Sequence, residues 1–67
     1  MNLKINGDLV EVPNDLKTVS DLLAHFNLQE RVVIIEHNQD IIAKENHHIA
    51  TLSDGDQIEI VHFVGGG

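Results

Sequence analysis

The sequence predicts an α+β fold, with a mixed β-sheet of four to five strands wrapped over one helix. Three features support this prediction: an alternating segment with an Asn-Gly pair, one short amphipathic helical segment, and later β-branched segments. The chain has 67 residues, 42% of them hydrophobic, which suffices for one small core. We expect one domain over residues 1–64, followed by a flexible tail of residues 65–67.

The first two strands are predicted to form a hairpin around Asn6-Gly7. Polar and apolar side chains alternate in residues 2–6, so the apolar ones share a face. Asn-Gly is a strong hairpin signal because both central residues of a type I′ turn need positive φ. Residues 9–12 form the return strand, and Pro13 ends it because proline lacks a backbone donor. Leu3 and Ile5 are expected to share a face of the first strand, and Val10 and Val12 a face of the second.

A helix is predicted to begin after Thr18, whose hydroxyl can cap the first turn. Asp21, three residues later, completes a variant of the capping box, and Asn27 is a plausible left-handed stop. This segment is too short to persist alone, so it must pack against the sheet. Its apolar stripe consists of Val19, Leu22, Leu23 and Phe26.

Two strands are predicted after the helix. Residues 31–36 contain the β-branched run Val32–Ile35, apolar on both parities. Such a strand is covered on both faces, or covered on one and docked to a partner on the other. Residues 41–43 are predicted to form a short peripheral strand.

The remaining chain leads to the last strand. Residues 46–53 are predicted to be irregular, with Ile49 and Leu52 packing into the core, and residues 54–56 form a tight turn. Residues 57–64 form the final strand. A helix between a hairpin and a later strand of the same sheet needs a right-handed crossover. The economical arrangement is the β-grasp architecture of ubiquitin-like proteins.

Charge and composition exclude several classes of function. Eleven acidic against four basic residues give a net charge of −7, and the chain has two aromatic residues. This surface repels phosphate backbones and offers no base-stacking platform, so we expect no nucleic-acid partner. The absence of cysteine excludes disulfides and thiolate chemistry. With no apolar span and no signal peptide apparent, we expect no membrane partner and a cytoplasmic location.

Catalytic and metal-binding groups are scarce. The two serines, Ser20 and Ser53, lack a nucleophile-elbow context, and no phosphate-binding or dinucleotide motif occurs. Among the five histidines, His47-His48 form the closest pair, but no zinc-binding spacing is present. We expect neither catalytic residues, nor a metal site, nor a bound cofactor.

The carboxyl end is the unusual feature, because Gly65, Gly66 and Gly67 follow an apolar strand directly. Extended, they reach about 10 Å, and a strip without side chains can thread a narrow channel and present its carboxylate. A frayed end is the alternative reading.

The last strand carries a second apolar pair beside the tail. If Ile58 and Ile60 face the helix, Val61 and Phe63 lie on the opposite face, at the base of the tail. Exposed apolar side chains that adjoin a reactive tail indicate a docking surface.

The sequence resembles the sulfur carrier proteins of thiamine biosynthesis, the ThiS family. The ending Val-His-Phe-Val-Gly-Gly-Gly in so short a chain is the most specific point of likeness, whereas Gly-Gly alone also ends ubiquitin and the molybdopterin synthase small subunit. The matching segments run through the whole chain and are Asn6-Gly7, Thr18–Leu23, Val33–Asn38, Ile41-Ile42 and Asp54–Gly67.

The resemblance implies a protein substrate rather than an enzyme. An adenylating partner enzyme uses ATP to activate the Gly67 carboxylate, with Gly65 and Gly66 threading its active site and Val61 and Phe63 anchoring the docking. Sulfur supplied from cysteine by a desulfurase then replaces AMP to leave a thiocarboxylate, and thiazole synthase takes that sulfur. Lys44 stands where many relatives have arginine, which bears on partner details.

Two other functions compete with this one at the sequence level. A carrier of the molybdopterin synthase type uses the same terminal chemistry, although those relatives are usually longer and end in two glycines. The second alternative is a ubiquitin-like interaction module or modifier, and in that case no sulfur would be attached to the carboxyl end.

Overall fold

The computed structural model describes residues 1–62 and contains one five-stranded sheet and one α-helix. The sheet order is β2-β1-β5-β3-β4, with β1 parallel to β5 and every other pair antiparallel. The predicted α+β fold is therefore confirmed, with boundaries within residues 1–62 shifted by one or two residues, while the predicted end of the last strand at residue 64 lies outside the described residues. The elements are β1 (Asn2–Ile5), β2 (Asp8–Glu11), α1 (Val19–His25), β3 (Val33–His37), β4 (Asp40–Ile42), a 3₁₀ turn (Lys44–Asn46) and β5 (Gln57–His62).

The predicted tail and its neighbours, residues 63–67, lie outside the described residues. The proposed boundary between a domain of residues 1–64 and a tail of residues 65–67 therefore stays a prediction. Within residues 1–62, no helix is long and apolar enough to cross a membrane.

Both β-hairpins turn through two residues with positive φ. In the β1–β2 turn φ is 50° at Asn6 and 87° at Gly7, as the Asn-Gly signal predicted. In the β3–β4 turn φ is 49° at Asn38 and 75° at Gln39. The sequence did not predict this second hairpin, because glutamine, which occupies position 39, is not a typical turn residue, whereas glycine is.

The helix has the predicted caps at both ends. Thr18 accepts a hydrogen bond from the Asp21 amide, and the Asp21 carboxylate accepts from the amides of Lys17 and Thr18. These two backbone donors hold the pKa of Asp21 below its usual value. At the other end Asn27 adopts a φ of 59°, and the Leu28 amide donates to the Leu23 carbonyl in a Schellman arrangement.

The core lies between the helix and the inner face of the sheet. Its buried residues include most of the predicted helical stripe, but Phe26, the C-cap residue of the helix, is 37% exposed. Of the two residues predicted to pack from the loop, Leu52 is half-buried, as expected. The buried residues are Leu3, Val12, Val19, Leu22, Leu23, Ile35 and Ile58.

The prediction that Ile49 packs into the core is wrong, because its side chain is 61% exposed. Thr51 forms an isolated antiparallel bridge with Thr18, so the chain there is extended. Successive side chains of an extended segment point to opposite sides. Ala50 and Leu52 therefore pack against the core. Ile49 precedes this segment and lies in a turn, in which the amides of Ile49 and Ala50 donate to the Asn46 carbonyl over 3.1 and 3.0 Å, and its side chain is on the solvent side.

A hydrogen-bonded cluster connects the β3–β4 turn to the start of β5. The His37 Nε2 donates to Asp56 Oδ2 over 2.7 Å, and the Asn38 side chain donates to Asp56 Oδ1 over 3.1 Å. The Ser53 amide donates to Asp56 Oδ2 over 2.8 Å. Partial burial alone would raise the pKa of Asp56, but these hydrogen bonds outweigh it and the pKa is lowered.

Acid is expected to destabilise the fold through Asp56. A carboxylate with a lowered folded-state pKa stabilises the protein above its unfolded value of 3.8, and this contribution is lost as the pH falls through the lower folded value. Asp56→Asn should reduce the free energy of unfolding at pH 7 by about 1 kcal/mol and weaken its pH dependence below pH 4. Urea unfolding across pH 2–7 tests this, with the exposed Asp15→Asn as control. If the free energy of unfolding of Asp56→Asn fell below pH 4 as steeply as that of wild type, Asp56 would not be the group responsible.

Candidate functional site

Strand β5 is the central strand of the sheet and leads directly into the predicted reactive tail. It lies between β1 and β3. Strand β3 pairs with β5 from Ile58 to His62, whereas β1 pairs with Gln57 and Ile58 at the start of β5. Ile58 is fully buried and Ile60 is half-buried against the core. The prediction that these two residues face the helix is therefore confirmed, and Glu59 and Val61 lie on the outer face of the sheet.

The outer face carries an exposed apolar pair at the base of the tail. Val61 is 47% exposed, as predicted, and its cross-strand partner Ile34 is 39% exposed. We call Ile34 and Val61 the outer patch. Ile35, next to Ile34, is fully buried, so β3 is covered on one face and exposed on the other. Phe63, the other predicted docking residue, lies outside the described residues.

Two carboxylates lie next to the outer patch on the same face. Glu36 of β3 pairs directly with Glu59 of β5, one row from the pair of Ile34 and Val61. Like charges placed opposite each other on a sheet are unfavourable. The sheet surface beside the outer patch is therefore negatively charged.

An open groove lies on the other side of β5, at the same end of the molecule. It has a volume of about 370 Å³ and is mainly apolar. Phe26, which the helical spacing assigned to the core, lines this groove and is partly exposed. Residues from distant parts of the chain line this groove, so the sequence alone did not predict it. Its lining residues are Ile5, Asn6, Asp8, Val10, Phe26, Leu28, Ile60 and His62.

Two histidines, His37 and His47, make side-chain hydrogen bonds that join separate segments of the chain. His47 is 6% exposed, its Nε2 donates to the Ile42 carbonyl over 3.2 Å, and its own carbonyl accepts from the Ser20 amide. It thereby connects the loop after β4 to the start of the helix. Among residues 1–62, no group of three or more His, Asp or Glu side chains is arranged to hold a metal ion.

Comparison with known proteins identifies the family. The sequence model of the ThiS family matches residues 3–67. The chain belongs to the ThiS family. The sulfur carrier protein ThiS of Bacillus subtilis is 51% identical over 65 residues, which cover 97% of this chain and 98% of the relative. The resemblance predicted from the sequence is thereby confirmed.

Solved and fused relatives of this ThiS-family chain add to the comparison. The crystal structure of a thiamine biosynthesis protein (ThiS) from Geobacter metallireducens superimposes with a TM-score of 0.83 at 32% identity, covering 100% of both chains. This match confirms the ubiquitin-like β-grasp. A thiazole synthase of Paramagnetospirillum magneticum is 37% identical over 67 residues, which are 100% of this chain but 20% of that protein.

Proposed function

We propose that this ThiS-family chain carries sulfur for thiamine biosynthesis as a thiocarboxylate on Gly67. The observation that supports this most strongly is the 51% identity to a sulfur carrier protein over nearly the whole of both chains. The family match extends to residue 67, so it includes the three terminal glycines. The chain would act as a substrate of enzymes and not as a catalyst.

The proposed chemistry requires activation of a carboxylate, which is a poor electrophile. An oxygen of the Gly67 carboxylate attacks the α-phosphorus of ATP and releases pyrophosphate, which leaves an acyl-adenylate. The terminal sulfur of a persulfide then attacks the acyl carbon and AMP departs. Cleavage of the sulfur–sulfur bond by a thiol leaves the thiocarboxylate. Since this cysteine-free chain has no thiol of its own, partner proteins must supply the persulfide, and the cytoplasm supplies the ATP.

Three partners follow from this chemistry: an adenylating enzyme, a cysteine desulfurase as sulfur donor, and thiazole synthase as sulfur acceptor. The thiazole synthase partnership has support from the comparison. A segment similar to this entire chain forms one fifth of a protein named thiazole synthase. Fusion to the acceptor would give a carrier a high effective concentration beside it. Gly65 and Gly66 would thread the partner active sites, because they have no side chains to obstruct a channel.

The outer patch is proposed to dock the adenylating enzyme. Val61→Ala should weaken binding about fivefold, or about 1 kcal/mol, because it removes two methyl groups from a contact at the base of the tail. Isothermal titration calorimetry against the adenylating enzyme measures this change. Leu9→Ala is the matched control, because Leu9 is also exposed on the outer face but lies on the edge strand β2. Equal affinities for wild type and Val61→Ala would move the docking surface elsewhere.

Mass spectrometry of the carboxyl-terminal peptide tests the proposed function. Lys44 is the last basic residue that trypsin recognises, so digestion releases residues 45–67 as one peptide. This peptide contains no methionine, so oxidation of Met1 cannot imitate the exchange of oxygen for sulfur. After incubation with ATP, adenylating enzyme, desulfurase and cysteine, we expect sulfur on Gly67. An unmodified peptide under these conditions would favour an interaction module instead.

A further inference from the structure

Strand β1 stops pairing with β5 before β5 ends. The amide of Lys4 donates to the Asp56 carbonyl over 2.9 Å, and the amide of Asn6 donates to the Ile58 carbonyl over 2.9 Å. After Asn6 the chain turns through Gly7 into β2, so no further β1 backbone is in register with β5. Strand β5 continues from Ile58 to His62.

The side chain of Asn6 continues the ladder in place of that backbone. Its Oδ1 accepts a hydrogen bond from the Ile60 amide over 2.7 Å, and its Nδ2 donates to the Ile60 carbonyl over 3.2 Å. A carboxamide has the same donor and acceptor as a peptide group. The side chain therefore pairs with both backbone groups of Ile60, one residue beyond Glu59 and two before the end of β5.

The two edges of β5 are consequently held up to its last residues. On one edge, β3 pairs with β5 as far as the pair of Val33 and His62. On the other edge, Asn6 holds Ile60, which lines the groove together with His62. Removal of the Asn6 carboxamide would leave residues 59–62 of β5 bonded along the β3 edge only, next to the point where the chain continues towards Gly67.

We propose that Asn6 is a positioning residue for the sulfur-carrying tail, which it directs by fixing the end of β5 through Ile60. This inference rests on the proposed function, because it gives Asn6 a part in presenting Gly67. A reaction at a terminal carboxylate depends on how often that group reaches the attack geometry. A loosened strand end lowers this frequency without removing any group that touches the reacting atoms.

The backbone at position 6 makes asparagine the fitting residue. A φ of 50° is adopted readily by glycine, and by asparagine and aspartate among residues with side chains. Glycine has neither donor nor acceptor, and aspartate can accept from the Ile60 amide but cannot donate to its carbonyl. Asparagine alone of these three satisfies both the turn and Ile60. Asn6→Gly thus removes both hydrogen bonds to Ile60, Asn6→Asp removes the one that Nδ2 donates, and both variants keep the turn.

Asn38 provides a matched control at the opposite end of the same strand. It has a φ of 49°, and its Oδ1 accepts from the Gln57 amide over 2.9 Å, at the first residue of β5. Asn38→Gly therefore removes a comparable side-chain contact to β5, far from the tail. A merely structural loss would affect both glycine variants alike, whereas a positioning role affects Asn6→Gly selectively.

The test combines hydrogen exchange with activation kinetics on the full chain. In Asn6→Gly we expect the Ile60 amide to exchange at least tenfold faster. We also expect kcat for ATP-dependent thiocarboxylate formation to fall about tenfold, with affinity for the adenylating enzyme unchanged. Asn6→Asp should lie between wild type and Asn6→Gly, and Asn38→Gly should keep the wild-type kcat.

The outcomes separate this inference from the proposed function. If wild type forms no thiocarboxylate, the proposed function fails, and the role of Asn6 in positioning fails with it. If wild type reacts and Asn6→Gly has the same kcat, or Asn38→Gly loses as much activity, the inference alone is overturned. Unchanged exchange at Ile60 in Asn6→Gly would overturn it as well.

Discussion

Addition of one glycine after Gly67 is expected to abolish thiocarboxylate formation, with a loss of at least a hundredfold. The added residue converts the Gly67 carboxylate into a peptide carbonyl, which cannot attack ATP. The new carboxylate lies up to about 3.5 Å further along the chain, and displacements of about 1 Å can cost a hundredfold in rate. The measurement is the fraction of sulfur-loaded carboxyl-terminal peptide formed over time.

Deletion of Gly67 is the complementary variant, because it moves the carboxylate by the same distance in the opposite direction. Both variants leave the buried residues between Leu3 and Ile58 untouched. Their urea unfolding curves should therefore match wild type. If the extended variant formed the thiocarboxylate at the wild-type rate, the position of the terminal carboxylate would not matter to the partner enzyme. This result would contradict the role proposed for Gly67.

Leu22→Ala is expected to lower the free energy of unfolding by about 3 kcal/mol. Leu22 is fully buried where the helix meets the sheet, and truncation of a buried leucine costs about 2–5 kcal/mol. Alanine is an excellent helix former, so the loss reports packing and not helix propensity. A domain of this length has a total stability of about 3–10 kcal/mol, so the loss is a large fraction of the total. Urea denaturation followed by circular dichroism measures the change.

The matched control for this prediction is Ile49→Ala. Ile49 is a large aliphatic residue that the sequence pattern assigned to the core and the structure exposes. Its truncation should change stability by less than about 0.5 kcal/mol. If Ile49→Ala cost as much as Leu22→Ala, the loop after β4 would have to pack differently.

The candidate site was predictable where its features are local. The alternation along β5 placed Ile58 and Val61 on opposite faces, and the structure agrees. The glycine tail was apparent from composition alone. The groove and the His37–Asp56 contact were not, because each joins segments far apart in sequence. The local pattern of polar and apolar residues does not show which distant segments come into contact.

The helix, the first hairpin and the faces of the strands follow from the sequence alone, because helix caps, alternation and turn residues act over a few positions. Thr18 and Asp21, Asn6-Gly7 and the apolar parities all predicted structure that is present. Only the three-dimensional packing shows whether an apolar residue that fits the core pattern is buried or exposed. Phe26 and Ile49 fit a core pattern locally, but the fold leaves Phe26 at the edge of the groove and Ile49 in an exposed turn after Asn46. The second role of Asn6 was decided there too, since only the fold brings Ile60 to its side chain.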